Sequence, residues 1–137
     1  MTALAQGYDA RRRDGALIAY PVAAGGRVFK GGLVAVAASG YAVPAADAAG
    51  LTFVGVAYEE GDNRGGAAGA RKVRVLKTGV YTYAKVGASP ADMGKVVFVV
   101  DDGAVTTAAT GSNVAAGVVV GVPDTGHVCV RIDGKVS

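Results

Sequence analysis

Tryptophan is absent from these 137 residues, histidine and cysteine occur once each, and Tyr and Phe together number nine. A lone cysteine, Cys129, excludes an intramolecular disulfide. One histidine and one cysteine are too few soft side chains for a zinc centre. No run approaches the roughly 18 consecutive apolar residues of a membrane helix, because Pro44, Asp47 and several glycines interrupt the richest region. The opening stretch, "MTALAQGYDARRRDG", lacks the apolar run of a signal peptide, so a product made and kept in the cytosol is expected unless something carries it out.

Large aliphatic residues are scarce as well. Leu and Ile supply 7 residues, against 27 Ala, 24 Val and 22 Gly, which together exceed half the chain. Valine favours strands, while alanine and glycine let backbones approach closely. The composition therefore predicts an all-β protein with thin layers, in a chain long enough to bury an ordinary core.

The net charge of +3 is too small to imply nucleic acid by itself. Its distribution is blockwise: +3 over residues 1–40, −3 over 41–70, +5 over 71–100 and −2 over 101–137. Such alternation suits either a surface that docks on copies of itself or a patchy partner, or ordinary solubilising charge.

Period-2 alternation and turn residues predict strands over 17–23, 33–37, 41–44, 51–58, 71–76, 79–86, 95–100, 117–122 and 127–132. Phe53 and Val54 point to opposite faces, which predicts cover on both sides of 51–58. "EEGDNRGGAAGA" (59–70) is expected to be a long flexible loop, and "SPADMGK" (89–95) a single helical turn. "GGLVAVAASGYAVPAA", "LTFVGVA", "RKVRVLKTG" is echoed by "GKVVFVVDDGAVTTAA", "VVVGVP", "GHVCVRIDG". That weak repeat aligns Gly40 with Gly103, Gly55 with Gly121, and Val73-Arg74-Val75 approximately with Cys129-Val130-Arg131. Two similar β-meanders suggest a small sandwich or barrel.

Residues that carry chemistry are present but badly arranged for it. "GASPADMGKV" (87–96) has six residues between glycines where a phosphate loop needs four, and Val96 stands where a hydroxyl should hold magnesium. His127 and Cys129 share a strand face without a third activating group. His127 is expected at the hairpin mouth and Cys129 in the core as a small apolar residue. Glu59-Glu60 and Asp101-Asp102 are adjacent pairs whose carboxylates diverge on an extended backbone, and both sit in predicted turns. "EEGDN" lacks the ordered oxygen spacing of a calcium loop. The expectation is no catalysis, no metal and no cofactor. In the segment 1–14, Tyr8 and the triplet Arg11, Arg12 and Arg13 form a modest basic patch, suited to an acidic protein surface at least as well as to nucleic acid.

"YPVAAGGRVFKGGLVAVAASGYAVPAADAAGLTFVGVAYEEGDN", "KVRVLKTGVYTYA", "ADMGKVVFVVDDGAVTT" and "AAGVVVGV" with "HVCVRIDG" resemble the capsid cement, or head-decoration, proteins of tailed bacteriophages. The resemblance runs from about Arg11 onward and rests on glycine, proline and apolar patterning. It implies a β-rich, non-catalytic virion protein on the outside of the icosahedral head, made in the host cytoplasm. It further implies trimers that clamp neighbouring copies of the major capsid protein, with no membrane or nucleic-acid partner. The expected architecture is a small β-sandwich or barrel, tulip-like, of two related β-meanders. It comprises one β-domain over 15–137 behind an extended arm, 1–14, in which Tyr8, Arg11, Arg12 and Arg13 are the candidate capsid-binding residues. Two other readings are a tail or baseplate β-module, and a carbohydrate-binding β-domain using Tyr81, Tyr83 or another tyrosine.

Overall fold

Valine alternates with glycine, alanine or charge through most of the chain, and β-branched side chains fit a pleated, half-buried surface. In the computed structural model, which describes Gln6 and residues 15–133, these stretches form strands throughout and the protein is all-β. The first seven are β1 (Leu17–Pro21), β2 (Arg27–Val28), β3 (Leu33–Val36), β4 (Ala42–Pro44), β5 (Thr52–Ala57), β6 (Gly61–Asp62) and β7 (Lys72–Leu76). The remainder are β8 (Gly79–Ala84), β9 (Val96–Asp101), β10 (Ala104–Thr106), β11 (Ala115–Asp124) and β12 (His127–Ile132). A 3₁₀ turn at Pro90–Asp92 occupies the predicted helical turn, with the Ser89 N–H donating to Asp92 Oδ2 at 3.0 Å.

The strands divide into two units of the same topology. The N-terminal unit is a five-stranded sheet ordered β1-β7-β5-β3-β4, and the C-terminal unit is a closed barrel ordered β8-β12-β11-β9-β10. Each wraps round on one parallel pair: Val22 with Ala42 in the first, Ala84 with Ala104 in the second. The short strands β2 and β6 pair separately and tie down the loop after β5.

The pairing registers make the units equivalent residue by residue. Tyr20 faces Val73 as Tyr83 faces Val128. Val56 faces Leu76 and Ala57 faces Val75, as Val118 faces Arg131 and Val119 faces Val130. Leu33 faces Val56 and Val34 faces Gly55, as Val96 faces Val118 and Val97 faces Gly117. Loop hydrogen bonds repeat too: Gly31 N–H to Ala57 O at 2.8 Å has its counterpart in Gly94 N–H to Val119 O at 2.9 Å. The letter-matched alignment of Gly55 with Gly121, and of 73–75 with 129–131, is therefore corrected to Gly117 and to Val128-Cys129-Val130. The ladder of β11 against β12 shifts register around Gly121, so matching letters there do not occupy matching ladder positions. The duplication also extends further back than the repeated letters, taking in β1 and β8.

Two cores result. Val22, Val28, Val34, Ala42, Ala57, Val73 and Val75 fill the N-terminal unit. The larger core fills the barrel with Tyr83, Val97, Val99, Val119, Val128 and Val130, and also takes in Leu33, Ala35 and Val56 from the N-terminal unit. Each such valine or leucine is worth about 1.5–3 kcal/mol when buried. The seam between units carries polar contacts as well. Leu33 N–H donates to Asp102 O at 2.9 Å, and the Tyr83 hydroxyl to Gly31 O at 2.8 Å. Burial raises the Tyr83 pKa well above the ordinary phenol value. The Asp47 carboxylate accepts from Gly111 N–H at 3.1 Å and Ser112 N–H at 2.8 Å, and the Ser112 bond leads the causes that lower its pKa.

The loop 59–70, expected to be flexible, is instead pinned. Buried Asn63 donates through Nδ2 to Val22 O at 3.2 Å, Ala23 O at 3.0 Å and Ala67 O at 2.9 Å. The charges around it pair locally: Glu59 with Arg74, Glu60 with Arg27, Asp62 with Arg64.

The units depend on close backbone approach at equivalent glycines. A β-carbon at Gly55 would lie 2.2 Å from Leu76 O and 2.7 Å from Val75 Cγ1. One at Gly117 would lie 2.3 Å from Arg131 O and 2.8 Å from Val130 Cγ1. Gly55 also holds φ at +145°, which side chains resist. Gly117→Ala is expected to cost about 1–3 kcal/mol and Gly55→Ala about 2–4 kcal/mol. Gly126→Ala, where the nearest atom is at 3.5 Å, should stay within about 0.5 kcal/mol of wild type. Urea unfolding of the three variants checks the order.

Candidate interaction surface

The residues with chemical potential are held in structural roles. Exposed His127 places Nδ1 2.9 Å from Asp124 Oδ1 across the β11–β12 turn, and this contact leads the causes that lower the Asp124 pKa. Cys129, expected in the core, faces outward and is half-buried: Val128, Val130 and Ile132 take the inward positions of β12. Its thiol lies 3.6 Å from Thr82 Oγ1 and above Gly121, where no side chain competes for the space. Asp124 stands beside His127 as a third group would, but the Cys129 thiol is paired with Thr82 and, among the described residues, no hydrogen bond joins it to the imidazole.

The acidic pairs are engaged separately. Arg74 clamps Glu59 at 3.0 and 2.7 Å, and this hydrogen bonding holds the Glu59 carboxyl below the usual range. Arg64 clamps Asp62 in the same way and lowers its pKa strongly. Asp101 Oδ1 accepts from Gly103 N–H at 2.8 Å, closing the β9–β10 turn. Among the described residues no three His, Cys, Asp or Glu side chains gather as metal ligands. The N–H groups of residues 92–95, which lead up to and include Gly94-Lys95, are all spent on backbone carbonyls, so these four form no nest for a phosphate.

The tyrosines named for sugar stacking are not platforms. Tyr83 is buried, and Tyr81 is half-buried with its hydroxyl donated to Thr78 O at 2.7 Å. Phe29 and Tyr58 are exposed, but Arg27 lies 4.6 Å over the first ring and Arg74 5.0 Å over the second. Tyr8, Arg11, Arg12 and Arg13 lie outside the described residues.

The surface is distinguished instead by its valines, in two groups. One is a row on the outside of the barrel: Val96 of β9 faces Val118 of β11, which faces Arg131 of β12, which faces Val80 of β8. All three valines are exposed, and so is Val120 beside Val118. The other surrounds a mainly apolar pocket of about 400 Å³ at the β8–β10 closure, where Val86, Val100, Ala104, Val105 and Thr106 share the lining with Lys85. Val86 is 99% exposed at that pocket. In the N-terminal unit the loop 59–70 covers the corresponding place, with Gly69 against Tyr41 and Pro21. The C-terminal unit has only a tight β11–β12 turn there, so its pocket stays open.

Neither group was named from the sequence, although a signal existed. "KVVFVV" and "GVVVGV" are apolar on both strand faces, a pattern that belongs to strands covered on both sides. In β5 that cover exists. In β9 and β11 the outer face is open.

No protein-family model, curated protein or solved structure matches the chain. The surface itself therefore has to carry the functional reading.

One buried polar pair separates the units. Lys85 takes the position equivalent to Val22, and its Nζ lies 3.0 Å from Asp92 Oδ2 with both side chains nearly buried. Asp92 also accepts from Ser89 N–H and from Thr107 Oγ1, and its pKa is lowered, first by the Ser89 bond and then by Lys85. A carboxylate whose pKa falls on folding adds stability above its unfolded value, near 3.8, and that stability drains away as pH drops through the lowered value. Asp92→Asn leaves the Lys85 ammonium buried without its counter-ion. The variant is expected to have a lower urea midpoint at pH 7 and a shallower loss of stability between pH 5 and 2 (roughly the window in which folded carboxylates titrate). Urea midpoints measured across that range check both.

Proposed function

We propose that this chain is a structural virion protein that decorates the outside of a tailed-phage icosahedral head and cements neighbouring capsomers. The observation that carries the reading is the exposed valine row on a small closed barrel: a stiff β body presenting apolar side chains outward is built to adhere. Exposed apolar groups of this kind mark interaction surfaces. The resemblance to cement proteins supplies the setting, with the major capsid protein as partner and three copies around a local threefold. The role needs no catalysis, metal or cofactor. Several modest contacts per trimer become tight together, because after the first is made the others are effectively intramolecular.

The arm 1–14 belongs to the same proposal. Arg11, Arg12 and Arg13 can pair with capsid carboxylates bidentately, and Tyr8 adds an amphipathic ring. Ordering a residue costs roughly 1–2 kcal/mol of backbone entropy, so the arm contributes only where several contacts act together.

Heads assembled without the chain, incubated with purified protein and pelleted, are expected to carry it saturably at a fixed stoichiometry. Binding to tails in place of heads, or to neither, refutes the reading. The triple variant R11A/R12A/R13A should fold normally and occupy heads less fully, with the deficit narrowing as salt screens the wild-type contacts. Equal occupancy of variant and wild type at low and high salt would remove the arm from the mechanism.

A further inference from the structure

The two units are alike in topology and unlike in what covers them. Leu33, Val56 and Leu17 of the N-terminal unit correspond to Val96, Val118 and Val80 of the C-terminal unit through the strand registers. Leu33 and Val56 are 0% and 2% exposed, because they enter the core of the C-terminal barrel. Val96, Val118 and Val80 are 46%, 37% and 56% exposed. Leu33 and Val56 are docked on the C-terminal unit and Leu17 beside them is half-buried, whereas their three counterparts stand exposed.

We infer that the Val96–Val118–Val80 row docks on the N-terminal unit of a second copy of this chain, repeating between copies the contact made within each. The polar groups of the internal seam have counterparts in the right places. Inside the chain, Leu33 N–H meets the carbonyl of Asp102 in the β9–β10 turn, and the Tyr83 hydroxyl meets Gly31 O. Between copies, Val96 N–H is the equivalent donor and Gly94 O the equivalent acceptor. The ladder of β10 along β9 stops at Thr106 opposite Phe98, two residues short of Val96. The receiving end is the β3–β4 turn with exposed Ser39, which corresponds to Asp102, and half-buried Tyr20, which corresponds to Tyr83. Tyr20 already accepts a hydrogen bond from Lys77 Nζ at 2.7 Å, which leaves its own O–H to donate.

Such a contact is head to tail: the row of one copy meets a different surface of the next. Repetition of one rotation closes into a ring or runs on as a filament. The inference deepens the decoration reading by naming the surface through which copies meet, and it rests on that reading only for where they meet.

Sedimentation equilibrium of the full chain is the test, at concentrations up to the order of 1 mM. Wild type is expected to associate reversibly. Val118→Asp on the row and Ser39→Arg on the receiving turn should each weaken association by about tenfold or more. Val86→Asp, at the separate pocket, should leave it unchanged. Both disrupting positions are exposed, so urea midpoints near wild type are expected; Ser39→Arg, in a turn, carries the test if Val118→Asp unfolds. The decisive arm is a mixture of V118D and S39R, each retaining the half that the other lacks, which should form 1:1 dimers that grow no further. Wild type that stays monomeric throughout overturns the inference, as does association indifferent to both substitutions or a mixture that fails to pair. Wild type that associates but does not bind heads would count against decoration alone; head binding without association would count against this surface alone.

Discussion

At Gly55 and Gly117 one strand backbone lies so close to its neighbour that a methyl group would overlap a carbonyl oxygen. Two narrow β units with mostly valine and alanine interiors, one a closed barrel and the other a five-stranded sheet curled round to the Val22–Ala42 bridge, need that approach. A five-stranded barrel has little interior volume, and its strands curve tightly enough to bring backbones together where they cross. Large aliphatic residues would not fit in number, which is the physical reason for seven Leu and Ile against 73 Ala, Val and Gly. The same narrowness has a cost. Each unit buries only a small core, so the N-terminal unit gains stability by laying its outer row on the barrel beside it.

Where the units differ, polar groups mark the change. Val22 sits wholly buried among apolar neighbours, while its counterpart Lys85 is matched by Asp92, Ser89 and Thr107 around one carboxylate. The N-terminal unit carries the extra loop 59–70, fastened by Asn63; the C-terminal unit has a short turn and an open pocket instead. Among the described residues no buried side-chain nitrogen or oxygen lacks a partner, so both solutions are complete. The charge burst at 59–64 is consumed by ion pairs within the N-terminal unit, which makes it a fastening and removes it from the pool of free acidic patches.

Much of the fold was legible in local pattern. Alternation and glycine turns located the longer strands to within a residue or two, and the repeated letters disclosed two related halves. Register was not legible, because β-pairing is decided by partners distant in sequence and by irregularities such as that near Gly121. The strands β2 and β6, two residues each, offer no period to detect. Cys129 was assigned inward because a small apolar residue suits a core, but the parity of β12 is set by Val128 and Val130, and Cys129 has to face the other way. The surface was half legible: runs apolar on both faces state that cover is required without saying what supplies it.

The internal likeness of the two units frames the difference in cover among the described residues. If both units descend from one ancestral module whose outer row was buried against a copy of itself, joining two modules in one chain satisfies the first row and leaves the second exposed. The side chains fit that history. The covered row keeps Leu33, Val56 and Leu76; the uncovered one has Val96, Val118 and Arg131, smaller at the first position, unchanged at the second and charged at the third. Arg131 makes the open row wettable while its stem can still pack against apolar neighbours. A row so moderated would not hold two free molecules together strongly. On a lattice that already presents many copies at close quarters, a weak contact becomes sufficient, because local concentration supplies what affinity lacks.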